Sequence, residues 1–112
     1  MLLSFLALAA TGCRSYWINA TVVNRTGETI RELEVDYPTA SFGINEVRPG
    51  SNLRYRLQIR GSGPVKVEYN RIDGKTIHAE GLILSEHQEG QLQILLMPEG
   101  KVQFVPNLKS TH

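Results

Sequence analysis

Beyond residue 15 the chain alternates. In residues 29–37, TIRELEVDY, Leu33, Val35 and Tyr37 fall on one side and Glu32, Glu34 and Asp36 on the other, until Pro38 interrupts. Residues 52–60, NLRYRLQIR, repeat the pattern, with Leu53, Tyr55, Leu57 and Ile59 opposed to Arg54, Arg56, Gln58 and Arg60. Successive side chains of a strand point to opposite faces, so a period of two over such lengths predicts strands with one buried side. Residues 16–23, YWINATVV, are rich in β-branched and aromatic side chains and lead into the Gly-bearing turn NRTGE. Residues 64–70, PVKVEYN, alternate again and run into Asp73-Gly74, a hairpin signal because the tight turn needs positive φ. Residues 75–84 are the return strand, with a bulge expected at Gly81. Residues 90–97 and 101–106, joined by PEG, complete the set.

Residues 38–47, PTASFGINEV, form the least regular internal stretch. Phe42 and Ile44 there either cap the core or sit in an exposed binding loop, and capping is favoured. Residues 107–112, NLKSTH, read as a flexible tail. No helical stripe and no long-period repeat occurs. The expectation is an all-β domain over residues 16–106, an antiparallel β-sandwich of about seven or eight short strands, with an open barrel as the alternative. In architecture it is similar to immunoglobulin-like or transthyretin-like sandwiches, although the Cys…Trp…Cys pattern of true immunoglobulin domains is absent.

Length and charge narrow the function. The chain's 112 residues allow one domain and one core. Twelve basic against eleven acidic residues give no overall field directed at nucleic acid. A single cysteine, Cys13, excludes an internal disulfide framework and a thiolate zinc site. No cofactor motif is present: there is no P-loop, no H-E-x-x-H and no G-x-S-x-G.

Residues 1–12, MLLSFLALAATG, carry no charge, and Arg14 is the first charged residue. Residues 2–10 match the ~7–15 apolar residues of a signal-peptide core. As a helix they would reach only ~15 Å, about half the hydrocarbon thickness of a bilayer. The stretch Ala10-Thr11-Gly12-Cys13 resembles the lipobox of bacterial lipoproteins, with Ala10 where that family usually has a larger aliphatic residue. The resemblance implies cleavage before Cys13, a diacylglyceryl group on its sulfur and an acylated amino terminus. Residues 1–12 are then the signal peptide and 13–15 the lipidated start and tether. Arg14, not being the aspartate that retains such proteins at the inner membrane, implies the outer membrane. A secreted adhesion or inhibitor domain without the lipid anchor is the alternative, followed by a small envelope hydrolase or metal-dependent enzyme using His78, His87 or the acidic residues.

Within the body, the row Arg54, Arg56 and Arg60 with Tyr55 is the candidate partner surface, joined by Phe42. If its strand neighbours the acidic one, the charges pair across the sheet; if the two lie apart, the arginines form an anion-binding ridge for headgroups, polyanionic glycan or an acidic partner. Thr76, His78 and Glu80 share a strand face, but two ligands do not make a metal site. Ser85, Glu86 and His87 are adjacent in sequence, which is not how a triad converges. Asn19 and Asn24 fit the N-x-T pattern, which carries little meaning in a bacterial chain. Tyr16 and Trp17 either pack in the first strand or rest at the membrane interface, and packing is favoured. The functional expectation is a non-enzymatic envelope lipoprotein, a membrane-tethered module binding an envelope protein or glycan, without cofactor, metal or nucleic acid.

Overall fold

The computed structural model describes residues 16–110. Eight strands follow in order: β1 (Ile18–Asn24), β2 (Ile30–Tyr37), β3 (Ala40–Val47), β4 (Asn52–Leu57), β5 (Ser62–Asn70), β6 (Thr76–Ser85), β7 (Gln88–Met97) and, after a short 3₁₀ turn at Pro98–Gly100, β8 (Lys101–Ser110). They form two four-stranded sheets, ordered β4-β1-β7-β8 and β3-β2-β5-β6. The expected sandwich is present. The first two strands lie in different sheets, whereas the immunoglobulin order keeps them together.

The alternation decides which side chains meet between the sheets. Ile18 and Val22 of β1, Leu57 of β4 and Leu92, Ile94 and Leu96 of β7 face Leu33, Val35, Val65, Val67, Tyr69 and Leu84 of the second sheet, all buried. Burying such side chains contributes roughly 1.5–3 kcal/mol each relative to exposure.

Four features depart from the sequence reading. First, β1 and β7 pair in parallel (Ile18↔Gly90, Asn24↔Leu96), while the other ladders are antiparallel. The chain leaves for the other sheet and returns before β7, so the direction reversal a hairpin would impose is lost. Second, residues 40–47 are a strand and not an irregular loop; β3 pairs with β2 along its length, Leu33↔Ile44 and Val35↔Phe42. Third, β4 ends at Leu57, so Arg60 lies outside it; residues 58–60 instead cross beneath the β2–β3 turn, where the Thr39 hydroxyl donates to the Gln58 carbonyl (2.7 Å) and accepts from the Arg60 N–H (2.8 Å). Fourth, β8 passes Pro106 and runs to Ser110, so residues 107–110 are paired to β7 and not a free tail. A proline is tolerated there because β8 is an edge strand, with one side unpaired.

Two expected local features are in place. The Asp73-Gly74 turn closes β5 onto β6, with Gly74 at φ 88° and the Lys75 N–H donating to Asp73 Oδ1 (3.0 Å). The β5–β6 register shifts between Pro64 and Lys66, opposite Glu80 and Ile83, which places the bulge at Gly81 and Leu82. A Cβ at Gly81 would stand 2.7 Å from the Phe104 ring, so glycine is what lets β8 close over this edge of the sandwich.

Candidate functional site

The acidic and basic alternating strands do not pair with each other: β2 belongs to one sheet and β4 to the other. Their polar sides are the two outer faces of the sandwich. Register gives each face in rows. On the β4-β1-β7-β8 face, one row runs Arg56–Asn19–Gln91–Asn107 and the next Arg54–Thr21–Gln93–Val105. A third runs Asn52–Val23–Leu95–Gln103. On the opposite face the rows are Ser41–Asp36–Lys66–Glu80, Gly43–Glu34–Glu68–His78 and Glu46–Arg31–Asn70–Thr76.

The acidic face is largely self-engaged. Arg31 pairs with Glu46 (3.3 Å) and His78 with Glu68 (3.0 Å). Glu34 stands directly opposite Glu68, and the nearby charge of Asp36, above all, pushes the Glu34 carboxyl above its ordinary range. Like charges in register destabilise a ladder.

The basic face differs. Arg25, Arg54 and Arg56 border an open groove of about 670 Å³ whose floor includes Asn19, Thr21, Gln91 and Gln93, and no carboxylate lines it. Among the described residues none of these arginines forms an ion pair. Trp17, just before β1, lies under Arg56, whose guanidinium carbon is 4.2 Å from the ring centroid. Such a cation–π contact contributes about 0.5–1 kcal/mol at an exposed site and fixes the plane of the guanidinium.

The sequence-derived residues therefore separate. Arg54 and Arg56 stand together, as the ridge reading requires for strands that lie apart. Tyr55 borders the same groove but its ring belongs to the sandwich edge: it stacks on Phe42 at 3.8 Å, 13° from coplanar, and Tyr37 lies 6.4 Å from Phe42 in a tilted contact. Phe42 and Tyr55 close the β3/β4 edge of the sandwich, the capping role favoured for Phe42. Arg60 lies in the crossing segment beside Tyr16, Glu86 and His87, apart from the groove. Cys13 lies outside the described residues. Absent from the sequence reading were the amides Gln91, Gln93 and Asn107, visible only as the polar phase of two strands, and the stacking of Trp17 on Arg56.

The residues considered for catalysis do structural work. Ser85 donates its backbone N–H to Gln88 Oε1 (2.9 Å) and the Glu86 carboxylate accepts the Gly61 N–H (2.9 Å). The His87 ring rests 5.0 Å from that of Tyr16, its backbone at φ 66°. No group of three His, Cys, Asp or Glu side chains among the described residues is placed to hold a metal.

Asn24 shows what the N-R-T pattern encodes. It is fully buried, donating to the carbonyls of Glu28 (2.8 Å) and Val47 (3.0 Å), while its Oδ1 accepts from the Thr26 N–H (3.0 Å) and hydroxyl (2.6 Å). The motif is a structural knot joining the β1–β2 turn to the end of β3.

The sequence matches no family of known proteins and no curated protein. Among solved structures the chain is similar to a protein from Eubacterium rectale determined by NMR, at 14% identity over 85% of this chain and 90% of that one, with a TM-score of 0.53. The likeness is one of fold.

Proposed function

We propose that this protein is a non-enzymatic lipoprotein of the bacterial cell envelope, a β-sandwich tethered through Cys13 that presents the outer face of the β4-β1-β7-β8 sheet to a partner. The observation carrying the binding role is the groove itself: three unpaired arginines and a row of amides with no carboxylate between them. Cationic groups left without counter-charges among the described residues call for an anionic ligand. The engagement of the Glu86, His87 and His78 side chains in turn and cross-strand contacts supports a binding module over a hydrolase. The tether rests on Ala10-Thr11-Gly12-Cys13. One acyl chain holds a protein only reversibly, whereas two or three hold it durably, each buried CH₂ adding about 0.8 kcal/mol. Four residues separate Cys13 from Ile18, a reach of at most about 18 Å from Cα to Cα, so the tether keeps the start of β1 close to the lipid surface.

Mass spectrometry of the mature protein from its native bacterium tests the anchor. A diacylglyceryl-modified Cys13 as first residue is the expected result. An unmodified terminus beyond residue 13 overturns it in favour of a secreted domain.

A further inference from the structure

The basic face carries a more specific message than positive charge. We propose that its groove binds an acidic polysaccharide, a chain of uronic-acid-type sugars lying across β4, β1 and β7. This deepens the binding-module reading and is independent of the lipid anchor.

Three kinds of anionic ligand would be drawn to arginines, and the groove's lining separates them. A protein partner needs an apolar patch from which water is expelled at the centre of the contact. Here the apolar positions of the rows are Val23, Leu95 and Val105: Val23 is half-buried, Leu95 is buried, and Val105, 44% exposed, stands alone on the edge strand outside the groove's lining. A headgroup surface is met by cations flanking an exposed apolar wedge; the apolar members of this lining are the buried Ala20 and the half-buried Val23 and Tyr55, and the half-buried Trp17 beside it is covered by Arg56. A polyuronate presents carboxylates separated by hydroxyls, and each hydroxyl both donates and accepts. Arginine meets the first with a planar fork, and side-chain amides meet the second because they offer donor and acceptor in one plane.

The register delivers this combination periodically. Arg56, Asn19 and Gln91 stand side by side on adjacent strands, as do Arg54, Thr21 and Gln93 in the neighbouring row. Strands are ~4.8 Å apart and residues two apart along a strand ~6.8 Å, so the arginines and amides form a grid at the scale of a sugar ring. Trp17 holds the Arg56 guanidinium in place before any ligand arrives, which lowers the ordering cost of binding. The opposite face carries Glu34, Asp36, Glu46, Glu68 and Glu80 against Arg31 and Lys66, an acidic excess that disfavours the same polymer there.

The test is affinity of the detergent-solubilised full chain for polygalacturonate, with neutral dextran, poly-glutamate and phosphatidylglycerol vesicles as comparisons. Expected are binding to polygalacturonate that weakens with added salt, little binding to dextran, and about tenfold or greater weakening in Arg54→Gln/Arg56→Gln. Gln91→Leu/Gln93→Leu, which keeps the charge, is expected to weaken polygalacturonate several-fold while leaving any poly-glutamate binding unchanged. All four positions are exposed, and circular dichroism with thermal unfolding checks that each variant stays folded. Equal or tighter binding of poly-glutamate or of the vesicles, lost in the arginine variant, overturns the glycan assignment while leaving a binding face. Indifference to the glutamine substitutions also overturns it. Absence of arginine-dependent binding to any of these probes overturns the glycan assignment and the anionic-ligand reading of the face together.

Discussion

Asn24 and Glu34 both lie in polar stretches that composition alone reads as surface, and their environments have opposite consequences. Asn24 has no exposed area and satisfies four groups around it, two of them carbonyls of the β1–β2 turn and of β3. Replacing it by alanine leaves the buried Val47 carbonyl without its donor. An unsatisfied buried polar group costs about 1–3 kcal/mol, so Asn24→Ala is expected to lose roughly 2–4 kcal/mol in urea unfolding once the loosened turn is included. Asn19→Ala, on the exposed face, should change stability by less than about 0.5 kcal/mol. Glu34 is fully exposed, with its folded-state pKa raised from the ordinary 4.5 mainly by Asp36, then by partial desolvation, an Asp36 hydrogen bond and Glu68. A carboxyl whose pKa is higher folded than unfolded binds more protons in the folded state between those two values. Stability therefore falls as pH rises through that window, just above the ordinary carboxylate value. Glu34→Gln removes this contribution: the variant should melt higher than the wild type at neutral pH, and the difference should shrink as pH is lowered through the carboxylate range. A variant that melts lower at neutral pH would show that the crowding around Glu34 is relieved by something other than protonation.

At the scale of elements, the strands with a clean period of two were legible from sequence. Interruption of phase explains why β3 was not legible. In β2, Ile30 and Leu33 are both buried, three residues apart, because the ladder to β5 slips between Arg31 and Glu34 and Glu32 takes φ 52°. Their partners in β3, Val47 and Ile44, are likewise three apart, and between them stand only small or polar side chains. A pattern count over residues 38–47 thus finds neither two-fold nor helical order, and β3 reads as a loop. The extent of β8 beyond Pro106 is hidden for a different reason: a single chain does not reveal that the strand is an edge. Tyr55 was placed with the arginines by proximity in sequence although its phase put it with Leu53 and Leu57. Its stack on Phe42 joins β4 to β3 across the two sheets. Stacked aromatic pairs contribute about 0.5–1.5 kcal/mol beyond the area they bury, so a double-mutant cycle of Phe42→Ala and Tyr55→Ala should give a coupling in that range. At the other edge, Gly81→Ala forces the Phe104 ring to move and should cost about 1–3 kcal/mol, less in a Phe104→Leu background.

For the whole molecule, the arrangement that matters is separation. Charge that sums to nearly zero over the chain is sorted by topology onto two outer faces. Placing β2 and β4 in different sheets is what keeps Glu34, Asp36 and Glu68 away from Arg54 and Arg56. The net charge conceals this, which is why the partner surface was only conditionally visible in the sequence. The proposed anchor, Cys13, precedes β1 in the sequence and is none of the residues that line the groove. Tether and face should then fail separately. Cys13→Ala is expected to move the protein from the membrane fraction to the soluble fraction while leaving polygalacturonate affinity intact. Arg54→Gln/Arg56→Gln is expected to do the reverse, staying with membranes and losing the ligand. Cell fractionation and affinity measurement on the same two variants decide the matter. If the arginine variant also leaves the membrane, the basic face is itself part of the attachment, and a lipid surface takes the place of the glycan. If the cysteine variant stays, attachment does not run through the sulfur of Cys13, and a sandwich held by its partner alone becomes the better description.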